Sequence, residues 1–149
     1  MRAVAQRVSS ARVEVGGEVV GAIERGLLVY LGAAPEDDEA AVGTMVNKIA
    51  GLRIFEDDEG RMSRSVEDIG GEVLVVPQFT LFGDVRRGRR PSFEKAAQPG
   101  LARELYESVI AGLRARPLVV ATGRFRAPMQ VHSEVAGPVT ILIDTTKLF

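Results

Sequence analysis

No cysteine occurs among the 149 residues, which removes thiol nucleophiles, disulfide scaffolds, iron–sulfur clusters and thiolate-bound zinc. Histidine is nearly absent as well. His132 is the only one, so nothing suggests a His-rich metal centre, and neither metal nor cofactor is expected. Neither sign of charge dominates, with 19 Lys+Arg against 20 Asp+Glu and a formal net charge of −1. A general polycation that coats nucleic acid is therefore not expected, although a local basic patch remains open. No stretch approaches the roughly 18 apolar residues of a membrane span, and the first residues lack a signal peptide's continuous apolar core. A soluble cytoplasmic protein is expected. The Walker loop, the dinucleotide glycine fingerprint and the nucleophile elbow are missing too.

What is present is an ordinary globular composition, 46% hydrophobic and 26% charged, at a length suited to one domain over residues 1–149. The first third is strand-like. Arg2 to Val8 mixes apolar and polar positions. Val13 and Val15 precede Gly16-Gly17, and Val19, Val20 and Ile23 follow, which predicts a hairpin. Leu27 to Leu31 is continuously apolar between glycines, as in a strand covered on both faces. Pro35 and the acidic run Glu36 to Glu39 suit a helix start. Val42, Met45, Val46 and Ile49 then fall on one stripe, and Gly51 is a natural stop.

Leu52 to Phe55 and Val73 to Val76 read as further strands, and Phe82 to Pro91 as a surface loop. A second helix is expected over Gly100 to Arg116, with Leu101, Leu105, Val109 and Leu113 at four-residue steps. Strands are expected at Val119–Ala121, Met129–Val135 and Val139–Ile143. Many short strands with only two helices favour an α+β fold, mainly antiparallel and barrel-like.

Few residues offer obvious chemistry. The acidic turn Glu56 to Gly60 fails as a calcium loop, because aligning its glycine puts Phe55 at the first ligand position and Val66 at the twelfth. His132 alternates with Gln130 and Glu134 along a strand face. It is the only imidazole available to a Ser–His–Asp hydrolase, and a lone strand histidine is more often structural. Arg86, Arg87, Arg89 and Arg90 form either a solvated loop or a set of phosphate contacts. Two further segments stand at strand ends: Pro77-Gln78-Phe79-Thr80-Leu81 and Gly137-Pro138-Val139-Thr140. Each taken singly is an ordinary terminus or turn.

Together these blocks resemble the D-aminoacyl-tRNA deacylase family. The resemblance runs from Met1-Arg2-Ala3-Val4 and Gln6-Arg7-Val8 through Gly26-Leu27-Leu28-Val29 and Lys48 to Phe55. It continues through Gly70-Gly71, Val73 to Val76, Arg90-Pro91-Ser92-Phe93 and Thr122-Gly123-Arg124-Phe125, and on to Met129-Gln130-Val131 and the Gly-Pro segment. It implies a homodimer that hydrolyses the ester between a D-amino acid and the 3′ end of tRNA, without metal or cofactor. It implies that Gln78, Phe79 and Thr80, with Pro77, line the pocket for the terminal adenosine and aminoacyl group. It further implies that a cis Gly137-Pro138 peptide enters the partner's pocket and rejects L-amino acids. Glycyl-tRNA should then be accepted, since glycine presents no side chain to reject. Two positions depart from the family pattern: Pro77 replaces its usual Ser, and Val135 stands where an Asn commonly precedes the Gly-Pro pair.

An aminoacyl ester is already activated, so oriented oxyanion donors go far without a strong side-chain base. The backbone amides of Phe79 and Thr80 are the expected donors, and the alternative is Thr80 Oγ as nucleophile. Arg86, Arg87, Arg89 and Arg90 are the expected tRNA contacts. A non-catalytic nucleic-acid-binding member of the same fold is the competing reading.

Overall fold

The computed structural model describes all 149 residues. The chain begins with one long strand, β1 (Arg2–Val15), joined through Gly16-Gly17 to β2 (Glu18–Ile23) and followed by β3 (Gly26–Gly32). Helix α1 (Glu39–Gly51) comes next, then the two-stranded ribbon β4 (Phe55–Glu56) and β5 (Met62–Arg64). Strand β6 (Glu72–Pro77) leads into a single 3₁₀ turn over Phe79–Phe82. Helix α2 (Pro99–Arg114), β7 (Val119–Thr122) and β8 (Gln130–Asp144) complete the chain.

One six-stranded sheet organises the molecule, in the order β2-β1-β3-β6-β7 with β8 on the other side of β1. The β1–β2, β1–β3 and β1–β8 pairings are antiparallel, while β3–β6 and β6–β7 are parallel. The fold is thus α+β on a mixed, mainly antiparallel sheet. Strand β1 is long enough to serve β3 with residues 2–8 and β2 with residues 11–15 along one edge. The sheet curls until β2 approaches β7 and nearly closes a barrel. A Cβ on Gly21 would stand 2.4 Å from the Thr122 carbonyl oxygen, so closure at this distance requires glycine.

The continuous apolar runs are explained by burial on both faces. In β3 and β6, Leu27, Val29, Leu31, Val73 and Val75 face the helices, and join a core with Met45, Ile49, Val109 and Leu113. Leu28, Leu74 and Val76 point the other way, into a smaller cluster inside the curl with Val8, Val13 and Ile23. Helix α1 starts where expected, because the Asp38 carboxylate accepts the Ala41 amide at 3.0 Å. Its predicted stripe is buried.

Two expectations need correction. Leu52–Ile54 form no strand, and only Phe55–Glu56 pair, briefly, with β5. Ile54 and Phe55 are nonetheless buried, so their apolarity reports core filling. The two late strands are one, β8, interrupted by a bulge: Gln6 opposes Thr140 while Val8 opposes Val135. Residues 136–139 therefore bow out opposite Arg7, and Gly137-Pro138 lies inside a strand and not between two. The parallel pairs were also unforeseen. Helical crossovers α1 and α2 connect them as parallel strands require.

Candidate active site

Parallel strands place their carboxyl ends together, and crevices form there. Here β3, β6 and β7 end side by side below an apolar cleft of about 730 Å³. Pro77, Gln78 and Phe79 from the end of β6 line it. Phe93, Tyr106, Phe125 and Met129 supply other walls. The Gln78 amide donates to the Leu31 carbonyl at 2.8 Å, which carries the strand geometry one residue past Pro77. The 3₁₀ turn then reverses the chain, with Gly83 N–H on the Thr80 carbonyl at 2.9 Å.

A helical turn leaves its first amides without intrahelical partners. Those of Phe79 and Thr80 find no acceptor elsewhere in the chain. Two adjacent N–H donors are thus free just past β6, Phe79 on the cleft lining and Thr80 beside it, and an adjacent pair of donors is what an oxyanion needs. Thr80 itself is exposed and lies outside the cleft lining. Its Oγ1 accepts a hydrogen bond from Gln78 Nε2. The partner of the hydroxyl is a donor, so no base is in place to take its proton.

Tyr106 is the buried polar group of the cleft wall. Its hydroxyl donates to the Val75 carbonyl at 2.9 Å, and burial pushes the phenol well above its ordinary range. It is a fixed neutral wall. His132 lies elsewhere, on β8 opposite Arg12 of β1, with Nε2 3.4 Å from Glu14. No hydroxyl is hydrogen-bonded to it, and the His132-dependent hydrolase loses its geometric basis. The Asp57 carboxylate accepts from the amides of Glu59 and Arg61 at 2.9 and 3.0 Å and from the Ser63 hydroxyl at 2.7 Å. That carboxylate shapes a turn.

The arginine loop rises beside the cleft. Its base is pinned by a two-residue bridge, Asp84 N–H to Ser92 O at 2.8 Å and Ser92 N–H to Asp84 O at 2.9 Å. The four arginines are not equivalent. Arg86 Nε lies 2.9 and 3.0 Å from the two Asp84 carboxylate oxygens. Those hydrogen bonds hold the Asp84 carboxyl well below the usual range. Arg87, Arg89 and Arg90 are exposed, and the chain's ion pairs leave them out.

Gly137-Pro138 is a cis peptide on the β8 bulge, exposed on the surface. Gly137 has φ +123°, and an added Cβ would stand 2.8 Å from Val139 Cγ2 and 2.9 Å from Arg7 Nη2. Arg7 fastens the bulge, donating from Nε to the Ala136 carbonyl at 3.1 Å and from Nη1 to the Ile54 carbonyl at 2.8 Å. Neither Gly137 nor Pro138 lines the cleft. Within one chain the structure gathers Pro77, Gln78 and Phe79 with Thr80 at the rim, and leaves Gly137-Pro138 apart.

Sequence reasoning missed Phe93, Tyr106, Phe125 and Met129 as cleft walls. Three of them sit in blocks noted for resemblance, Arg90–Phe93, Thr122–Phe125 and Met129–Val131. That clustering was the available signal. Tyr106 carried none, because its helical spacing reads as core.

Known proteins resemble this chain in sequence and fold. The family profile described as D-Tyr-tRNA(Tyr) deacylase matches residues 4–144. A D-aminoacyl-tRNA deacylase from Sorangium cellulosum is 61% identical over 150 residues, covering 100% of both chains. One from Symbiobacterium thermophilum is 58% identical, over 100% of this chain and 99% of its own. Among solved structures, a c-Myc DNA unwinding element binding protein superposes with a TM-score of 0.92 at 45% identity, covering 97% of this chain and 98% of its own. A probable eukaryotic D-amino acid tRNA deacylase shares the fold, with a TM-score of 0.81 at 20% identity over 95% of this chain and 97% of its own.

Proposed function

The chain belongs to the D-aminoacyl-tRNA deacylase family, and from that premise we propose how its cleft hydrolyses the ester of a D-aminoacyl-tRNA. The enzyme releases free D-amino acid and tRNA, a chiral proofreading step in translation. The observation that carries the mechanism is the pair of unpartnered amides at Phe79 and Thr80, at the mouth of an apolar cleft. They receive the carbonyl oxygen as it becomes an oxyanion. Removing one such donor typically costs roughly 10²–10³ in rate, so two are a sufficient basis for catalysis without a triad. The vicinal 2′-hydroxyl of the terminal ribose assists the attacking water, and Gln78 orients Thr80 beside it. Arg87, Arg89 and Arg90 meet tRNA phosphates, and Arg86 holds their loop in shape.

Selection between enantiomers falls to Gly137-Pro138 of a second copy. The exposure of this bulge outside its own cleft supports a homodimer with crossed sites. A rigid backbone against the substrate's α-carbon excludes an L side chain by overlap. Glycyl-tRNA, without a side chain, escapes that exclusion. A cytoplasmic location agrees with the substrate.

The second reading is a nucleic-acid-binding protein of this fold without catalysis, favoured by the likeness to a DNA unwinding element binding protein. One experiment separates them. Incubation with D-Tyr-tRNA, L-Tyr-tRNA and glycyl-tRNA in EDTA, with a DNA duplex in a parallel binding assay, should give release from the D and glycyl substrates. Tight binding with no release from any of them would favour the second reading.

A further inference from the structure

Exposed aromatic rings are few here, and two of them touch. Phe79 is 56% and Phe93 37% exposed, and with the C-terminal Phe149 they are the aromatic side chains that are more than partly exposed. Their centroids are 5.2 Å apart at 71°, an edge-to-face pair at the cleft rim. Phe93 is held in place from both sides. Its neighbour Ser92 is bridged to Asp84, and its ring lies against Gly83, where a Cβ would stand 3.1 Å from Phe93 Cε1.

The surroundings are cationic. The loop between the bridge residues carries Arg87, Arg89 and Arg90, all exposed and without carboxylate partners. Asp84 is already committed to Arg86 and lies 3.7 Å from Lys95. Glu94, next to Phe93 in the chain, is exposed and takes part in no ion pair. An apolar ring pair beside three free guanidinium groups fits a single strand of nucleic acid, whose bases stack and whose phosphates need cations.

We infer that Phe79 and Phe93 form a stacking platform for the base of the nucleotide immediately preceding the esterified one, with Arg87, Arg89 and Arg90 on the phosphates leading to it. This rests on the reading of the cleft as the aminoacyl-ester site. If the ester reaches the Phe79 and Thr80 amides, the nucleotide that bears it fills the cleft. The next base then leaves over the rim where the two rings stand, and the strand continues towards the arginines. Stacking tolerates any base and phosphate contacts carry no sequence. The platform adds affinity for the single-stranded end and no preference among tRNAs.

The test uses an unacylated RNA hairpin with a tRNA-like 3′ end carrying 2-aminopurine at the penultimate position. The wild-type protein should quench its fluorescence, Phe93→Leu should lose the quenching and Phe93→Tyr should keep it. In turnover, Phe93→Leu should lower kcat/KM for the D-tyrosyl ester of the 3′ trinucleotide roughly five- to hundredfold more than for D-tyrosyl-adenosine. The loss should fall on KM. Equal losses on both esters, unchanged quenching, or a Phe93→Leu shift in oligomeric state by sedimentation would each overturn the inference. If the wild type released no D-tyrosine from any substrate, the ester-site reading would fall instead, while the quenching would still report whether the rings stack on a base.

Discussion

Replacing Arg7 by Met tests whether the β8 bulge is a built part of the enzyme. The substitution keeps an unbranched apolar stem of similar reach and deletes the guanidinium, so packing along the stem is largely retained. Two hydrogen bonds disappear, to Ala136 O at 3.1 Å and Ile54 O at 2.8 Å. A hydrogen bond from a charged donor contributes about 1.5–3 kcal/mol. Both sites are only partly buried, so water recovers some of the loss, and a total of about 2–4 kcal/mol follows from the same range. In urea this should move the unfolding midpoint down by about 1–2 M with an unchanged slope. The freed bulge also no longer holds Gly137-Pro138 at one height above the sheet. The ratio of D-Tyr-tRNA to L-Tyr-tRNA turnover should therefore narrow more than D-Tyr-tRNA turnover itself falls. A midpoint shift below about 0.3 M together with an unaltered ratio would refute the reasoning. A stability loss with unaltered discrimination would leave Arg7 a fold residue and remove the bulge from chiral selection.

Thr80→Ala should slow deacylation by less than about tenfold, because the amides remain as donors; abolished turnover with normal tRNA binding would assign the hydroxyl a chemical role. Arg87→Ala should weaken tRNA binding and reduce its salt slope by about one, whereas Arg86→Ala should raise the Asp84 carboxyl toward the ordinary range without reaching it, because the residue-86 amide still donates to it at 3.0 Å and Lys95 stays 3.7 Å away, read by NMR titration. Since the Asp84 carboxyl is depressed in the folded state, the clasp it makes with Arg86 is fully present above the ordinary carboxylate range and opens only as pH falls through the lowered value. Tyr106→Phe should cost about 1 kcal/mol, the typical worth of its bond to Val75, measured by urea unfolding at pH 7. Because burial raises the Tyr106 phenol, the unfolded chain ionises first, so stability should decline as pH climbs past about 10, and less steeply in the Phe variant.

How far the residues alone led can be traced element by element. The α1 stripe and the runs in β3 and β6 were legible because burial imposes a spacing, of one helix face or of two covered sheet faces. The polar Ser9-Ser10 pair hid the continuity of β1, and Gly137-Pro138 hid that of β8, because pairing along a neighbouring strand overrides local breaks. The direction of β6 and β7 was not legible: a crossover that contains a helix, a ribbon and irregular chain has no periodicity to announce it. At the site the limitation is chemical. Backbone amides at Phe79 and Thr80 leave no mark on residue type, and only the resemblance of whole blocks pointed to them. The difference between Arg86 and its neighbours needed the position of Asp84.

The Phe79 and Thr80 amides follow directly on β6, a strand in which Val73 to Val76 are confined by protein on both sides. Such a segment tolerates little change in volume, so the amides inherit a rigid mounting. Much of the remaining lining comes from residues 93–106 and 125–131, outside that doubly covered strand. Substrate range can therefore drift in this protein by exchanging wall residues while the reacting geometry stays where it is. A library confined to Gln98, Phe125 and Met129 would alter which substrates fit and leave the Phe79 and Thr80 amides in register, whereas one reaching into β6 would mostly return unfolded chains.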